Sequence, residues 1–469
     1  MKNALILGVF SGWIGVLPAY SGEQTKLVIR GEEFPIWPVE DLARRGMPVE
    51  AIPHDQNAAW TYLEAINSYL DVPPSLTEAL DYAVQTGWPE GQTELRAFLL
   101  EEKNVEAIRS CERASRMERC LLPVNGTPDQ SVIGVLLPNL SHIRVLGKLL
   151  VADGRLFAAE GMADDAILRY RTGIRMGSHM SNGMTLIESL VGIAVGGRSN
   201  LAILDLVLRY PLSVEQLKSL QEELSALAPK VPNVQKGLKG ECAFGPAMVD
   251  DIFSSPFRVV SNVGVFTAST SGNVSAPAEI NPAEDGWGKF EKRMGQLLYP
   301  DRTIKKHMQG YYDLVQDAEK RGTRAESWDQ VGGGEAKYFE DKIPKWDVIS
   351  RALLPSLSRA ILLGERMKTE FAATRTLVAL RIHMLENDGR APASLSEVAK
   401  GLPDGAFVDP FGEGPLQYRR TDNGFALYSV GPDHVNGGGK AGKKWEEGDM
   451  VWTYPPSPIE PFVSDDKKE

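Results

Sequence analysis

The sequence predicts an α-rich multi-helix body followed by a small C-terminal α+β module, in which a long helix leads into an antiparallel β hairpin and a loop. Three observations predict it. Apolar residues recur at helical spacing through most of the first 230 positions, from Ala59 to Leu227. A second, longer apolar face runs through Leu353, Leu357, Ile361, Met367, Phe371, Leu377, Leu380 and Met384. Beyond it the period changes to two, with Leu416, Tyr418, Phe425, Leu427 and Ser429 alternating around Asn423-Gly424. At 469 residues the chain is too long for one ordinary core. The reading divides it into a signal peptide (1–21), a helical domain (22–230), a mixed connection with helices and a mobile loop (231–348), the α+β module (349–456) and a polar tail (457–469).

Lys2 precedes an uncharged apolar run from Ala4 to Leu17, and Ala19-Tyr20-Ser21 sets small residues where a signal peptidase reads them, so cleavage after Ser21 is expected. The run is shorter than the ~20 residues that span hydrocarbon, which favours cleavage over an uncleaved anchor. Lys26 to Met47, with Pro35 and Pro38, reads as extended chain along the first helical unit. Ala59, Tyr62, Leu63, Ile66, Tyr69 and Leu70 then give a helix that Pro73-Pro74 ends. Ser75 with Glu78 has capping-box spacing for a helix burying Leu76, Leu80 and Val84. Thr93 to Arg119 reads as a further helix.

Leu136 to Tyr210 continues the helical pattern. Gly154, Phe157, Gly161, Ala166 and Tyr170 sit where a tetratricopeptide-like hairpin places small and aromatic residues, and Leu149 to Met176 resembles one such hairpin. With no second copy apparent, an ordinary helix pair in a larger bundle is the preferred reading. Gly183-Met184-Thr185-Leu186-Ile187-Glu188-Ser189 resembles the cleavage motif of type IV pilin precursors. It lies about 180 residues into the chain and Arg198 interrupts its apolar run, so it reads as a buried bundle helix. Ser213 to Leu227 is another amphipathic helix, Phe257 to Pro282 a mobile surface loop, and Trp287 to Lys320 helical again. After the long helix ends at Gly389, a short helix from Ser394 to Lys400, capped by Ser394 with Glu397, leads to a turn at Asp409-Pro410.

Asp409-Pro410-Phe411-Gly412, the strands Pro415 to Arg420 and Gly424 to Ser429, Val430-Gly431-Pro432-Asp433 and Asp449-Met450-Val451-Trp452 follow in that order. Together they resemble the C-terminal module of the major pseudopilin of type II secretion systems, over roughly the last quarter of the chain. In that family the loop after the second strand binds calcium. The resemblance therefore implies Val430 as a carbonyl ligand and Asp433 and Asp449 as carboxylate ligands, with Glu446 or Glu447 as a possible extra. Calcium takes six to eight hard oxygen ligands on flexible loops. Lys440, Lys443 and Lys444 oppose a cation, and the alternative is a loop whose aspartates bond backbone amides. The whole chain resembles large exported bacterial proteins, a likeness that implies no particular activity.

Sixty-two acidic residues against fifty-one basic ones give a net charge of -11, which disfavours nucleic acid and anionic lipid as partners. Gly437 to Lys444 satisfies GxGxxG, but Lys444 stands where a phosphate loop needs Ser or Thr. His54, His142, His179, His307, His383 and His434 show no metal-ligand spacing. Asp164-Asp165 and Asp250-Asp251 are adjacent pairs that diverge on a helix. Pairing of Cys111 with Cys120 requires the helix to end between them and stays open, with Cys242 as a buried thiol. No nucleophile with its partners can be assembled. The functional expectation is a non-catalytic exported cell-envelope protein, periplasmic or secreted, whose module serves assembly or docking with envelope proteins. The alternative is an exported hydrolase or carbohydrate-binding protein with a site between body and module, lined by aromatics such as Trp60, Trp88 and Trp287.

Overall fold

A computed structural model describes residues 26–44, 46–127, 137–241, 348–399, 405–412, 414–443 and 447–462, with the backbone alone for 348–358. The expected signal peptide, Cys242, Asp250-Asp251, the expected loop at Phe257 to Pro282, the expected helix at Trp287 to Lys320, His307, Lys444 and Glu446 lie outside these residues.

The expected extended segment at Lys26 to Met47 is instead a hairpin and a helix. Strand β1 (Lys26–Ile29) pairs antiparallel with β2 (Glu32–Pro35), and α1 (Val39–Arg44) follows. The turn between the strands is Arg30-Gly31, both at positive φ, 54° and 89°. Arg30 is held in this costly conformation by its amide donating to Asn67 Oδ1 at 2.6 Å and its guanidinium bonding the Tyr69 carbonyl. These partners lie nearly 40 residues away, beyond local reading.

Helix α2 (Ala58–Ser68) buries Ala59, Tyr62, Leu63 and Ile66 as its spacing predicts, and Asn57 caps it by accepting from the Ala59 amide. The Ser75–Glu78 capping box does not form. Pro74 starts a 3-10 turn through Leu76, so α3 (Thr77–Gln85) begins one residue late with Leu76 as its uncapped N-terminal neighbour. The stretch from Thr93 to Arg119 is two helices, α4 (Thr93–Leu99) and α5 (Glu102–Ser115). Buried Asn104 holds the corner between them by donating to the Phe98 carbonyl at 2.6 Å and accepting from the Leu70 amide at 2.9 Å. With α5 ended at Ser115 the geometric obstacle to a disulfide is gone, yet Cys111 and Cys120 are both free and buried. Burial pushes both thiols up from their ordinary value.

The body centres on α6 (Asn139–Ala159), α7 (Ala163–Ser181) and α8 (Leu186–Arg209), with α9 (Val214–Leu227) following. The α6–α7 hairpin packs with Gly154 directly beneath the Tyr170 ring, where a Cβ would fall 2.4 Å from Cε1. The approach of α7 to α8 is closer still. A Cβ on Gly177 would lie 2.5 Å from the Gly192 carbonyl oxygen and 2.8 Å from Gly196 Cα, and one on Gly192 would lie 2.4 Å from the Gly177 oxygen. Backbone meets backbone there. The pilin-like heptapeptide is the start of α8, and its glutamate is the third residue of a capping box. Thr185 Oγ1 accepts from the Glu188 amide, while the Glu188 carboxylate accepts from the Met184 and Thr185 amides at 3.0 and 2.9 Å and from the Thr185 hydroxyl at 2.7 Å. Burial raises the Glu188 carboxyl, and these bonds and Lys236 oppose the rise. Helix α8 is also long and apolar enough to cross a membrane, but most of it is buried in the bundle.

A 39-residue helix, α10 (Val348–Glu386), is continuous where one helix or a broken pair was expected. It packs along α8, with Gly197 against Met367, and along α9. The expected helix from Ser394 to Lys400 is only a 3-10 turn, Leu395–Glu397, with no cap from the Ser394 side chain. The module's sheet has the order β3 (Gln417–Thr421), β4 (Gly424–Ser429), β5 (Met450–Tyr454), all antiparallel. Because Thr421 pairs with Gly424, the turn is Asp422-Asn423, one residue earlier than expected. Gly424 belongs to the strand, where a Cβ would fall 1.9 Å from the Tyr454 carbonyl oxygen. The α-rich body with its small C-terminal α+β module is the architecture observed.

One histidine pins the N-terminal helices to the bundle. His179 of α7 is buried between α2 and the chain leaving α5. Its Nε2 lies 3.1 Å from the Met117 carbonyl and its Nδ1 3.0 Å from Tyr62 Oη. Since a carbonyl only accepts, Nε2 carries the proton and Nδ1 accepts from the tyrosine hydroxyl. Burial, aided by Lys230 and Arg175 and opposed by the Met117 bond, takes His179 from 6.5 down to about 4.

Two predictions follow from this packing. Gly177→Val drives a side chain into backbone that cannot move aside, and should lower the unfolding free energy by about 3 kcal/mol or more in urea titration. Protonation of His179 occurs more readily in the unfolded chain, so its stabilising contribution is complete above pH 6.5 and is lost as pH falls toward 4. The lowered value corresponds to about 3 kcal/mol in full, and unfolding free energies from urea titration at pH 7.5 and 4.5 should differ by about 2.5 kcal/mol more in the wild type than in His179→Gln.

Candidate functional site

The residues expected to carry a site lie in the loop from Val430 to Asp449, between β4 and β5. Three aspartates organise it, and one had been read only as a turn residue. Asp409 is buried. Its Oδ1 accepts from the Phe411 amide at 3.0 Å and the Ser429 hydroxyl at 2.7 Å, and its Oδ2 accepts from the Val430 amide at 3.0 Å. The contact two residues on is an Asx-turn, which Asp-Pro-Phe-Gly favours locally. The bonds across twenty residues exist because β4 ends beside that turn. His434, at φ 56°, closes the same corner through Nδ1, 2.7 Å from the Phe411 carbonyl.

Asp449, also buried, gathers the glycine-rich arm. Its Oδ1 accepts from Gly437 at 3.1 Å, and its Oδ2 from Gly439 at 2.6 Å and Lys440 at 3.1 Å. The Asp449 amide in turn donates to the Lys440 carbonyl at 3.0 Å, and an isolated bridge joins Ala441 to Gly448. Asp433 is exposed and joins the loop's two ends. Its Oδ1 accepts from the Val435 amide at 3.1 Å and its Oδ2 from Gly448 at 2.6 Å.

The structure thus brings Val430, Asp433 and Asp449 into one loop, with both carboxylates bonded to backbone amides. The Val430 amide is bonded to Asp409, and the two expected carboxylate ligands accept five backbone amides between them. Calcium ligation would require these carboxylates and the Val430 carbonyl to turn toward one point. Among the described residues no group of three or more His, Cys, Asp or Glu is placed to hold a metal ion. The glycine run reads as a loop tied by aspartate, and among the described residues no helix N-terminus follows it to face a phosphate.

Elsewhere, Asp164 and Asp165 are exposed on the first turn of α7, where Asp164 accepts from Gln216 at 2.9 Å. They border an open cleft of about 330 Å³ between α7 and α9, shared with Arg171 and Glu223, which form an ion pair. No aromatic side chain lines it. Trp60 and Trp88 are half-buried against the core, Trp60 stacked on His54 with ring centroids 4.9 Å apart. Comparison of the chain with protein-family models, curated proteins and solved structures gave no match.

The three-amide cradle of Asp449 yields a local prediction. Asp449→Ala should raise the amide exchange rates of Gly437, Gly439 and Lys440 by at least tenfold, about 1.4 kcal/mol of local opening, while exchange in α7 and α8 stays unchanged. Asp433→Ala should release Val435 and Gly448 instead.

Proposed function

We propose that the chain is a non-catalytic exported cell-envelope protein whose pseudopilin-like C-terminal module acts in assembly or docking. The observation that carries this reading is the contrast within one loop. Asp409 and Asp449 are buried at its base and fix its backbone, whereas Asp433, Val435, Asn436, Lys440 and Lys443 are exposed, Val435 by 62%. An exposed loop that is already ordered loses little conformational entropy on binding, which suits a protein contact. Its mixture of an apolar tip with acidic and basic neighbours suits a protein surface better than a lipid or a polyanion. The loop is held by its own amides, so docking in this reading requires no calcium.

Two measurements test it. Immobilised full-length protein should retain specific components of an envelope extract, and Val435→Asp with Lys440→Glu should reduce that retention at least tenfold; equal retention by wild type and variant would overturn the loop as the docking surface. Calorimetric titration with calcium should give no saturable heat for wild type or Asp433→Ala. A saturable heat that disappears in Asp433→Ala would restore Val430, Asp433 and Asp449 as ligands.

A further inference from the structure

Residues 457–469 were expected to be a polar tail; of these, 457–462 are described, and they lie on the helical body. The segment reads Pro456-Ser457-Pro458-Ile459-Glu460-Pro461-Phe462 and has neither helix nor strand. Its contacts repeat every three residues. Pro456, Ile459 and Phe462 are half-buried, while Ser457, Pro458, Glu460 and Pro461 are exposed. Two carbonyls exactly one such repeat apart are bonded by the body: Ser457 accepts from Arg209 Nη1 at 2.8 Å, and Glu460 accepts from Tyr82 Oη at 2.6 Å.

A period of three is that of the polyproline II helix, which has three residues per turn and no internal hydrogen bonds. In such a helix side chains at 456, 459 and 462 share one face, and the carbonyls are left for an external donor. Because proline has no N–H, donors are what a receptor for this ligand must supply, and Tyr82 and Arg209 supply them. The apolar side of the contact is equally specific. Ile459 Cδ1 sits 3.4 Å from where a Cβ on Gly87 would lie, and Phe462 meets the Tyr82 ring edge-on at 5.2 Å between centroids. Arg209 is itself oriented by Asp205, one helical turn back on α8.

We propose that the surface formed by Tyr82, Gly87 and Arg209 is a recognition site for proline-rich segments in polyproline II conformation, occupied in cis by the chain's own residues 456–462. The tail is then a tethered ligand. Its effective concentration is in the millimolar range, so it blocks the site against a free peptide of similar intrinsic affinity. The site uses no residue of the β4–β5 loop and stands apart from the docking reading.

The test uses the full chain with its tail loosened. A fluorescein-labelled peptide of residues 455–462 is titrated by anisotropy into wild type and into Ile459→Asp/Phe462→Asp. Saturable binding to the double variant, at least tenfold tighter than to wild type, is expected. Adding Tyr82→Phe to the double variant should weaken that binding roughly fivefold, the effect of one hydrogen bond. No saturable binding to a double variant with the wild-type circular dichroism spectrum, or equal affinity for both proteins, would overturn the proposal. Should the double variant not fold, 4-fluorophenylalanine placed at position 462 gives a second readout. Its fluorine resonance should move to the free-peptide position in Tyr82→Ala, and an unmoved resonance would overturn the proposal equally.

Discussion

The contact on which the rest of the body depends is the meeting of two helix backbones at Gly177, Gly192 and Gly196. With no Cβ on either side, α7 and α8 come as close as two helices can, and this closeness buries α8 on most of its circumference. The neighbours are adjusted to it. Ser199 lies over Gly173, Pro232 over Gly196, and Val195 over Gly147 on α6, so three helices and the chain after α9 are set by small residues. A different face of α8, at Gly197, then provides the surface along which α10 lies. A helix of this apolarity needs such a seat; the glycine spacing that would favour close pairing of membrane helices here serves a bundle core.

Several polar groups inside this core have close partners and fix a geometry that apolar packing would leave loose, whereas the side-chain amides of Asn139 and Asn200 are buried without a hydrogen-bond partner. Glu188 closes the first turn of α8 on itself, and His179 selects one orientation of α2 through Tyr62. Arg169 reaches both Asp153, at 2.6 Å, and Glu112, joining α7 to α6 and α5, and Arg155 of α6 pairs with Asp205 of α8. Burial raises the Asp153 carboxyl, and Arg169 draws it back. Such pairs add little net stability against apolar replacements but strongly penalise misplacement of either partner.

The helices were legible because periodicity reports burial directly: Tyr62, Leu63 and Ile66, or Leu217, Leu220 and Leu224, are inward as spaced. Ser213 with Gln216 caps α9 by the same box that fails at Ser75, because Pro74 diverts that chain into a 3-10 turn. The Arg30-Gly31 turn and the corner at Asn104 depend on side chains distant in sequence, and no local pattern announces them. The loop was legible in outline. Asp433 and Asp449 are its organising residues, though as acceptors for amides, and Asp409 escaped notice because its partners at Ser429 and Val430 come within reach only once the hairpin is folded. The tail was legible in principle, since the positions of its prolines and apolar residues already carry a period of three.

At 1.5 Å per residue, α10 runs about 58 Å and lies in one core that is continuous from body to module. It lines α8 at Met367 and reaches α9 as late as Glu386, which pairs with Lys218 at 2.7 Å, while Arg381 covers the Tyr454 ring of β5 at 4.3 Å from the centroid. The module therefore has no helix of its own to carry away. A lineage acquiring this hairpin and loop by recombination would have to inherit the helix with them, and then supply a bundle able to receive its other half. The seam between body and module is a poor place for evolution, or an engineer, to cut.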